Sequence, residues 1–151
     1  MLNQTHDVTV LNSLIETTID SVDGYRRSAQ EATNSRFSQE FLQRASEREE
    51  VVSRLRQQVT QLGGTTEDDG SLLAAAHRAF LTLRDKVTGT DDDAIIAEVD
   101  RGESYLNAKW EAALSDGELS QDSRQLVQKL YTSVRAGHER FERANDSTAT
   151  L

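Results

Sequence analysis

Apolar residues recur along most of this chain at alternating three- and four-residue intervals, the spacing that gathers side chains onto one face of an α-helix. From behind Asp7, read as the capping residue, to about Thr33, one stripe carries Val8, Leu11, Ile15, Val22, Tyr25 and Ala29. A second starts behind Asn34 or Ser35 and runs to Leu62 through Phe37, Phe41, Ala45, Val52, Leu55, Val59 and Leu62, where Gly63-Gly64 stops it. The polar stretch Gly63 to Gly70 leads into a shorter periodic segment, Ser71 to about Val87, with Leu72, Ala76, Phe80 and Leu83. Asp91-Asp92-Asp93 then places carboxylates where a helix N-terminus favours them and opens a long helix with Ile95, Val99, Leu106 and Trp110, closed by Ser115-Asp116-Gly117. A last helix, about Ser120 to Ala144, presents Val127, Leu130, Val134 and Phe141, and the tail Asn145 to Leu151 is expected to fray.

Two long helices, a short one and two more long ones predict an all-α fold. The first pair should form an antiparallel hairpin and the short helix a crossover, giving a four-helix bundle of the one-crossover type called ferritin-like. No proline interrupts any of these segments.

Each long stripe is broken once, near its middle, by a polar residue: Thr18, Arg48, Glu103 and His138. In ferritin-like di-metal proteins that level holds the metals, bound by a Glu from each of two helices and Glu-x-x-His from each of the other two. The three histidines here are preceded at the third position by Asn3, Ala74 and Arg135, so the chain contains no Glu-x-x-His. A cation at Arg48 would moreover compete with a metal for Glu103. The expectation is a buried polar cluster of Thr18, Arg48, Glu103 and His138, with Arg48 paired to Glu103 and Thr18 or a water completing the hydrogen bonds. A small rotation of the second helix would instead send Arg48 to the rim, its stem lying along the apolar surface. The rival reading keeps a reduced ligand set, Glu16, Glu103 and His138, for iron, manganese or zinc. His77 and His138 read more simply as hydrogen-bonded core histidines, Glu47, Glu49, Glu50, Glu139 and Glu142 as solvated faces, and Tyr105 and Trp110 as core aromatics.

Composition narrows the choice. The length of 151 residues suits one domain, with its core over about 8–145 and both termini frayed. There is no cysteine, hence no disulfide or thiolate chemistry. A net charge of −9 disfavours nucleic acid as a partner. No stretch approaches the ~18 apolar residues of a membrane span, and the start Met1-Leu2-Asn3-Gln4-Thr5 lacks the basic and apolar parts of a signal peptide, so a cytoplasmic protein is expected. Glycine-rich phosphate loops, His-Glu-x-x-His and Gly-x-Ser-x-Gly are all missing. No catalytic residue is assigned.

Over about residues 8–145 the chain resembles the YciF/YciE-type family of ferritin-like bacterial proteins, some of them stress-associated. The resemblance lies in Leu11-Asn12 with Leu14-Ile15-Glu16, Asp23-Gly24-Tyr25, Gly63-Gly64, Gly70-Ser71 with His77-Arg78, Arg101-Gly102-Glu103 and Ala136-Gly137-His138-Glu139-Arg140. It implies a ferritin-like bundle, a homodimer, no established catalytic activity and a role as a structural or stress-associated protein, expressed through self-association or a protein partner. A more distant resemblance to rubrerythrin-type di-iron bundles places Glu103 and His138 at ligand-like positions. Thr18, Arg48, Val51 and Arg135 depart from that pattern, which implies a degenerate di-iron site.

Overall fold

The computed structural model of the protein describes residues 4–66 and 92–149, with side chains in the last helix described as far as Gly137 and at Glu139. Four helices, α1 (Gln4–Glu31), α2 (Ser35–Gln61), α3 (Asp92–Leu114) and α4 (Gln121–Ala149), make up the described residues, which contain no strand. The expected crossover helix over 71–87, with His77, lies outside the described residues. Helix α4 continues past the expected end at Ala144 to Ala149.

Local chemistry sets the ends of α2. Asn34 adopts an extended conformation and its side-chain oxygen accepts from the Arg36 amide at 2.9 Å. At the other end Gly63 takes φ +80, and the amides of Gly63 and Gly64 bond back to the carbonyls of Thr60 and Val59, each at 3.0 Å. This paired arrangement satisfies carbonyls that the helix leaves open, and it needs a left-handed residue at position 63. Gly64 is required for a different reason: a Cβ there would lie 2.6 Å from Val8 Cγ2. The end of α2 thus abuts the start of α1.

Two aspartates expected to cap their own helices also hold other elements. Helix α1 starts at Gln4, so Asp7 lies inside its first turn rather than ahead of it, and is 1% exposed. Its carboxylate accepts from the Ser120 amide at 2.9 Å, from the Ser123 hydroxyl at 2.9 Å and from the Ser120 hydroxyl, and so caps α4 from across the bundle. Burial works to raise its pKa, but the bonds from Ser120 and Ser123 outweigh burial and hold it below the usual value. Asp92 in the first turn of α3 accepts from the Thr33 amide at 2.9 Å, the Thr33 hydroxyl at 3.0 Å and the Asn34 amide at 3.1 Å, tying α3 to the α1–α2 corner.

These ties fix the directions of the helices. The starts of α1 and α4 share one end of the bundle with the end of α2, while the start of α3 lies at the other end, beside the α1–α2 corner. Helix α1 packs against α2 and α3, and α4 against α3 and α2, so every principal neighbour pair is antiparallel.

The core falls into two apolar clusters. One gathers Leu11, Leu14, Ile15, Leu55, Leu106, Trp110, Val127 and Val134, with Trp110 stacked on Tyr131 at 6.3 Å. The other gathers Val22, Tyr25, Phe37, Phe41, Ala45, Ile95 and Val99. Tyr105, read from sequence as a core aromatic, is 60% exposed. It sits one position off the line of Val99, Glu103, Leu106 and Trp110, enough on a helix to turn it out to solvent.

Candidate functional site

Between the two clusters lies a charged level to which all four described helices contribute. Arg48 on α2 and Glu103 on α3 sit where their stripes are interrupted, and they are 1% and 2% exposed. The guanidinium grips the carboxylate with two bonds, Nη1 to Oε1 at 2.7 Å and Nη2 to Oε2 at 3.0 Å. This two-pronged geometry is the strong form of the interaction and depends on the planar fork of arginine.

Two residues of α1 complete the network. Ser21 Oγ accepts from Arg48 Nη1 at 2.8 Å, and the Tyr25 hydroxyl donates to Glu103 Oε1 at 2.6 Å. From α4 the Val134 carbonyl accepts from Arg48 Nη2 at 3.3 Å. The Arg48 guanidinium also lies 5.5 Å from the centre of the Tyr25 ring. Burial opposes the charge on Arg48, but the bonds and charge of Glu103 outweigh it and raise the Arg48 pKa. Burial and then the neighbouring carboxylate push Tyr25 well above the ordinary tyrosine value, so the phenol remains a donor.

The other residues expected at this level divide. Thr18 is fully buried there, but its hydroxyl donates to the Leu14 carbonyl of its own helix at 2.6 Å and takes no part in the pair. A β-branched hydroxyl in mid-helix has that carbonyl within reach, and Tyr25, two turns on, supplies the longer arm. Position 138 lies within α4, but the side chain of His138 is outside the described residues. Glu16, the third member of the rival ligand set, belongs instead to a row with Asp20 and Asp23 along α1. At Asp20 burial of the carboxyl, followed by the charges of Asp23 and Glu16, raises the pKa to about 6, although the residue's outer side stays exposed. Among the described residues no three potential ligands converge on one point.

Sequence reasoning missed a second buried cation. Arg44, one turn before Arg48, is 1% exposed; its Nη1 lies 3.1 Å from Glu47 Oε2 and 3.3 Å from the Gly137 carbonyl, while Nη2 is 3.8 Å from Glu40. A Cβ at Gly137 would stand 3.2 Å from Arg44 Nη1 and 3.3 Å from Glu47, so the glycine makes room for the pair. The signal was present: Phe37, Phe41, Arg44, Arg48, Val51 and Leu55 form one unbroken helical series, opposite a mid-helix glycine. Glu47, read as a solvated face, is the inward partner of that arginine.

A cleft of about 230 Å³ between α1 and α3 reaches the level from outside, with Ser21 and Tyr25 in its wall and Asp20, Glu98 and Gly102 nearer the surface. The Glu103 carboxylate below it is occupied on both oxygens. Coordination needs lone pairs free to face a metal, and proton transfer needs a group that can change charge near neutral pH. Arg48 and Tyr25 keep their protons, so the network of Arg48, Glu103 and Tyr25 holds its charge in place.

These features define a class, a helical bundle whose mid-length level is closed by an internal bidentate ion pair. Residues 6–116 match the family described as a domain of unknown function (DUF2383), and the chain belongs to that family. Tyr25, Arg48 and Glu103 all fall within the matched stretch, while α4 lies beyond it. Comparison with curated proteins finds no match. Among the described residues no helix is long and apolar enough to cross a membrane.

Proposed function

We propose that the protein is a non-enzymatic, ferritin-like structural or stress-associated protein of the cytoplasm, with a degenerate di-metal site. In this reading the level that carries metal ligands in di-metal bundles is closed by a side-chain pair, and the protein works as a homodimer or through a protein partner. The observation that carries the reading is the two-pronged Arg48–Glu103 contact, 2.7 and 3.0 Å long and almost wholly buried. A permanent cation occupies the space that a metal would need, and it takes both oxygens of the carboxylate best placed to bind one. The family-level resemblance to YciF/YciE-type proteins supports the stress association and the dimer.

The test is elemental analysis of protein purified without an affinity tag. The proposal expects iron, manganese and zinc far below one equivalent per chain. One tightly held equivalent would overturn it in favour of metal binding through a reduced ligand set.

A further inference from the structure

Most of α3's inward positions are filled by Ile95, Val99, Glu103, Leu106 and Trp110, while its outward face sets small residues and one aromatic among the charges of Glu98, Arg101 and Lys109. Ala97, Gly102, Ser104, Tyr105, Ala108 and Ala112 are all exposed. Tyr105, at 60% exposure, is the largest exposed aromatic among the described residues, and the Lys109 ammonium stands 5.4 Å from its ring centre. Beside it a Cβ at Gly102 would meet nothing within 4 Å among the described residues. Gly102 and Tyr105 both line the cleft of about 230 Å³ between α1 and α3. One surface therefore carries an aromatic projection and, next to it, an open recess.

A contact about a two-fold axis requires that each copy present both halves of the fit. Glu98, Gly102, Tyr105 and Lys109 fall on one line of α3 at four-, three- and four-residue spacing, and all four are exposed. Crossing two copies of α3 antiparallel, with the axis between Glu103 and Ser104, sets Tyr105 over the partner's Gly102 and Glu98 against the partner's Lys109. Symmetry makes each of these contacts twice. We infer that the outward face of α3 is the interface of a homodimer in which Tyr105 of each copy enters the recess at Gly102 of the other, flanked by Glu98–Lys109 ion pairs.

Within one copy Arg101 stands 3.1 Å from Glu98. A second copy sets a projection opposite a recess at the centre and Lys109 opposite Glu98 on either side. A tyrosine seated centrally in a recess is the kind of residue that dominates the energy of an interface.

The inference rests on the self-association proposed above and is tested so that the two can fail separately. Sedimentation velocity across the micromolar range is measured on the wild type, Tyr105→Arg, Gly102→Leu, Glu98→Lys, Lys109→Glu and the double variant Glu98→Lys/Lys109→Glu. The wild type should dimerise. Tyr105→Arg and Gly102→Leu should each weaken the dimer by about tenfold or more. Gly102→Leu should meanwhile leave the monomer folded by circular dichroism, because the added side chain starts in open space. Each single charge reversal should weaken association, and the double reversal should restore it, since it recreates the opposite-charge pairs with their signs exchanged. A wild-type dimer indifferent to Tyr105→Arg and to the charge reversals would overturn this interface and leave self-association standing. A wild type that stays monomeric at high micromolar concentration would overturn both.

Discussion

Replacing Arg48 by Met should cost the fold an amount of stability that depends on pH, whereas replacing Glu103 by Gln should cost an amount that does not. The asymmetry follows from what each change leaves behind. Without Arg48, Glu103 loses both guanidinium bonds and still accepts from Tyr25 at 2.6 Å, in a site where the carboxylate is 2% exposed. That carboxylate can escape by taking a proton. Starting from an ordinary glutamate value near 4.3, the escape costs about 1.4 kcal/mol per pH unit, so the penalty is capped at about 3.7 kcal/mol at pH 7 and falls to about 1 kcal/mol at pH 5. The sign is that of an acid whose folded pKa is raised: acidification returns the lost stability. Without the Glu103 charge, Arg48 retains Ser21 and the Val134 carbonyl as acceptors. A guanidinium cannot shed its proton in this range, so Glu103→Gln should cost about 3–5 kcal/mol at both pH values. At roughly 2–4 °C per kcal/mol for a chain of this size, the midpoint would fall by roughly 6–20 °C. The double variant Arg48→Met/Glu103→Leu should recover most of the loss and, in a cycle closed by the single variant Glu103→Leu, show a coupling of at least about 2 kcal/mol. Urea unfolding of the wild type and these four variants at pH 7 and pH 5 provides the assay. Small additive effects, or an Arg48→Met penalty equal at the two pH values, would refute the reasoning.

Further outcomes are expected at other positions. Gly64→Ala should destabilise by about 1–3 kcal/mol, because its Cβ would sit 2.6 Å from Val8, and a companion Val8→Ala should relieve much of that in thermal melts. Asp7→Ala should cost about 1–3 kcal/mol and loosen the first turn of α4 selectively, read by amide exchange at Ser120 to Ser123, since one buried carboxylate takes bonds from both serines. Stability should rise as pH falls from about 7 toward about 5, because Asp20, raised to about 6, is relieved of an unfavourable charge; below about 4 it should drop as Asp7 and Asp92, both held low, take up protons. Asp20→Asn should abolish the first limb and gain less than about 1 kcal/mol at neutral pH, a value reduced for solvent screening at this exposed residue. Arg48→Glu should place two carboxylates together and create affinity for manganese or zinc above that of the wild type, measured by isothermal titration of both.

The helices were legible in the sequence because burial, periodicity and end signals agree along each of them. The stripe Phe41, Ala45, Val52, Leu55 and the stop at Gly63 mark α2, and its start, read as lying behind Asn34 or Ser35, is capped by Asn34. The level of Arg48 and Glu103 was legible for the same reason, since an interrupted stripe records the height of the interruption. Which groups complete a network depends on side-chain reach, and there the reading went astray at Thr18, whose hydroxyl bonds to its own helix while Tyr25 bridges to Glu103. Asp7 shows a second limit: an aspartate near a helix start looks like that helix's cap, and only tertiary packing reveals that it caps α4. Arg44 was hidden because its partner Glu47 reads alone as a surface acid, and only the juxtaposition with Gly137 shows the room made for the pair.

The central claim, that a side-chain ion pair occupies the level where a metal would otherwise sit, is tested most directly by thermal unfolding of the wild-type protein with added metal and with chelator. A metal held by the native state at a hundred times its dissociation constant would add about 2.7 kcal/mol and raise the midpoint by roughly 5–11 °C. With saturating iron(II), manganese or zinc, and equally after exhaustive chelation, the predicted midpoint is unchanged. A rise of that size with any one of these metals, reversed by the chelator, would contradict the account.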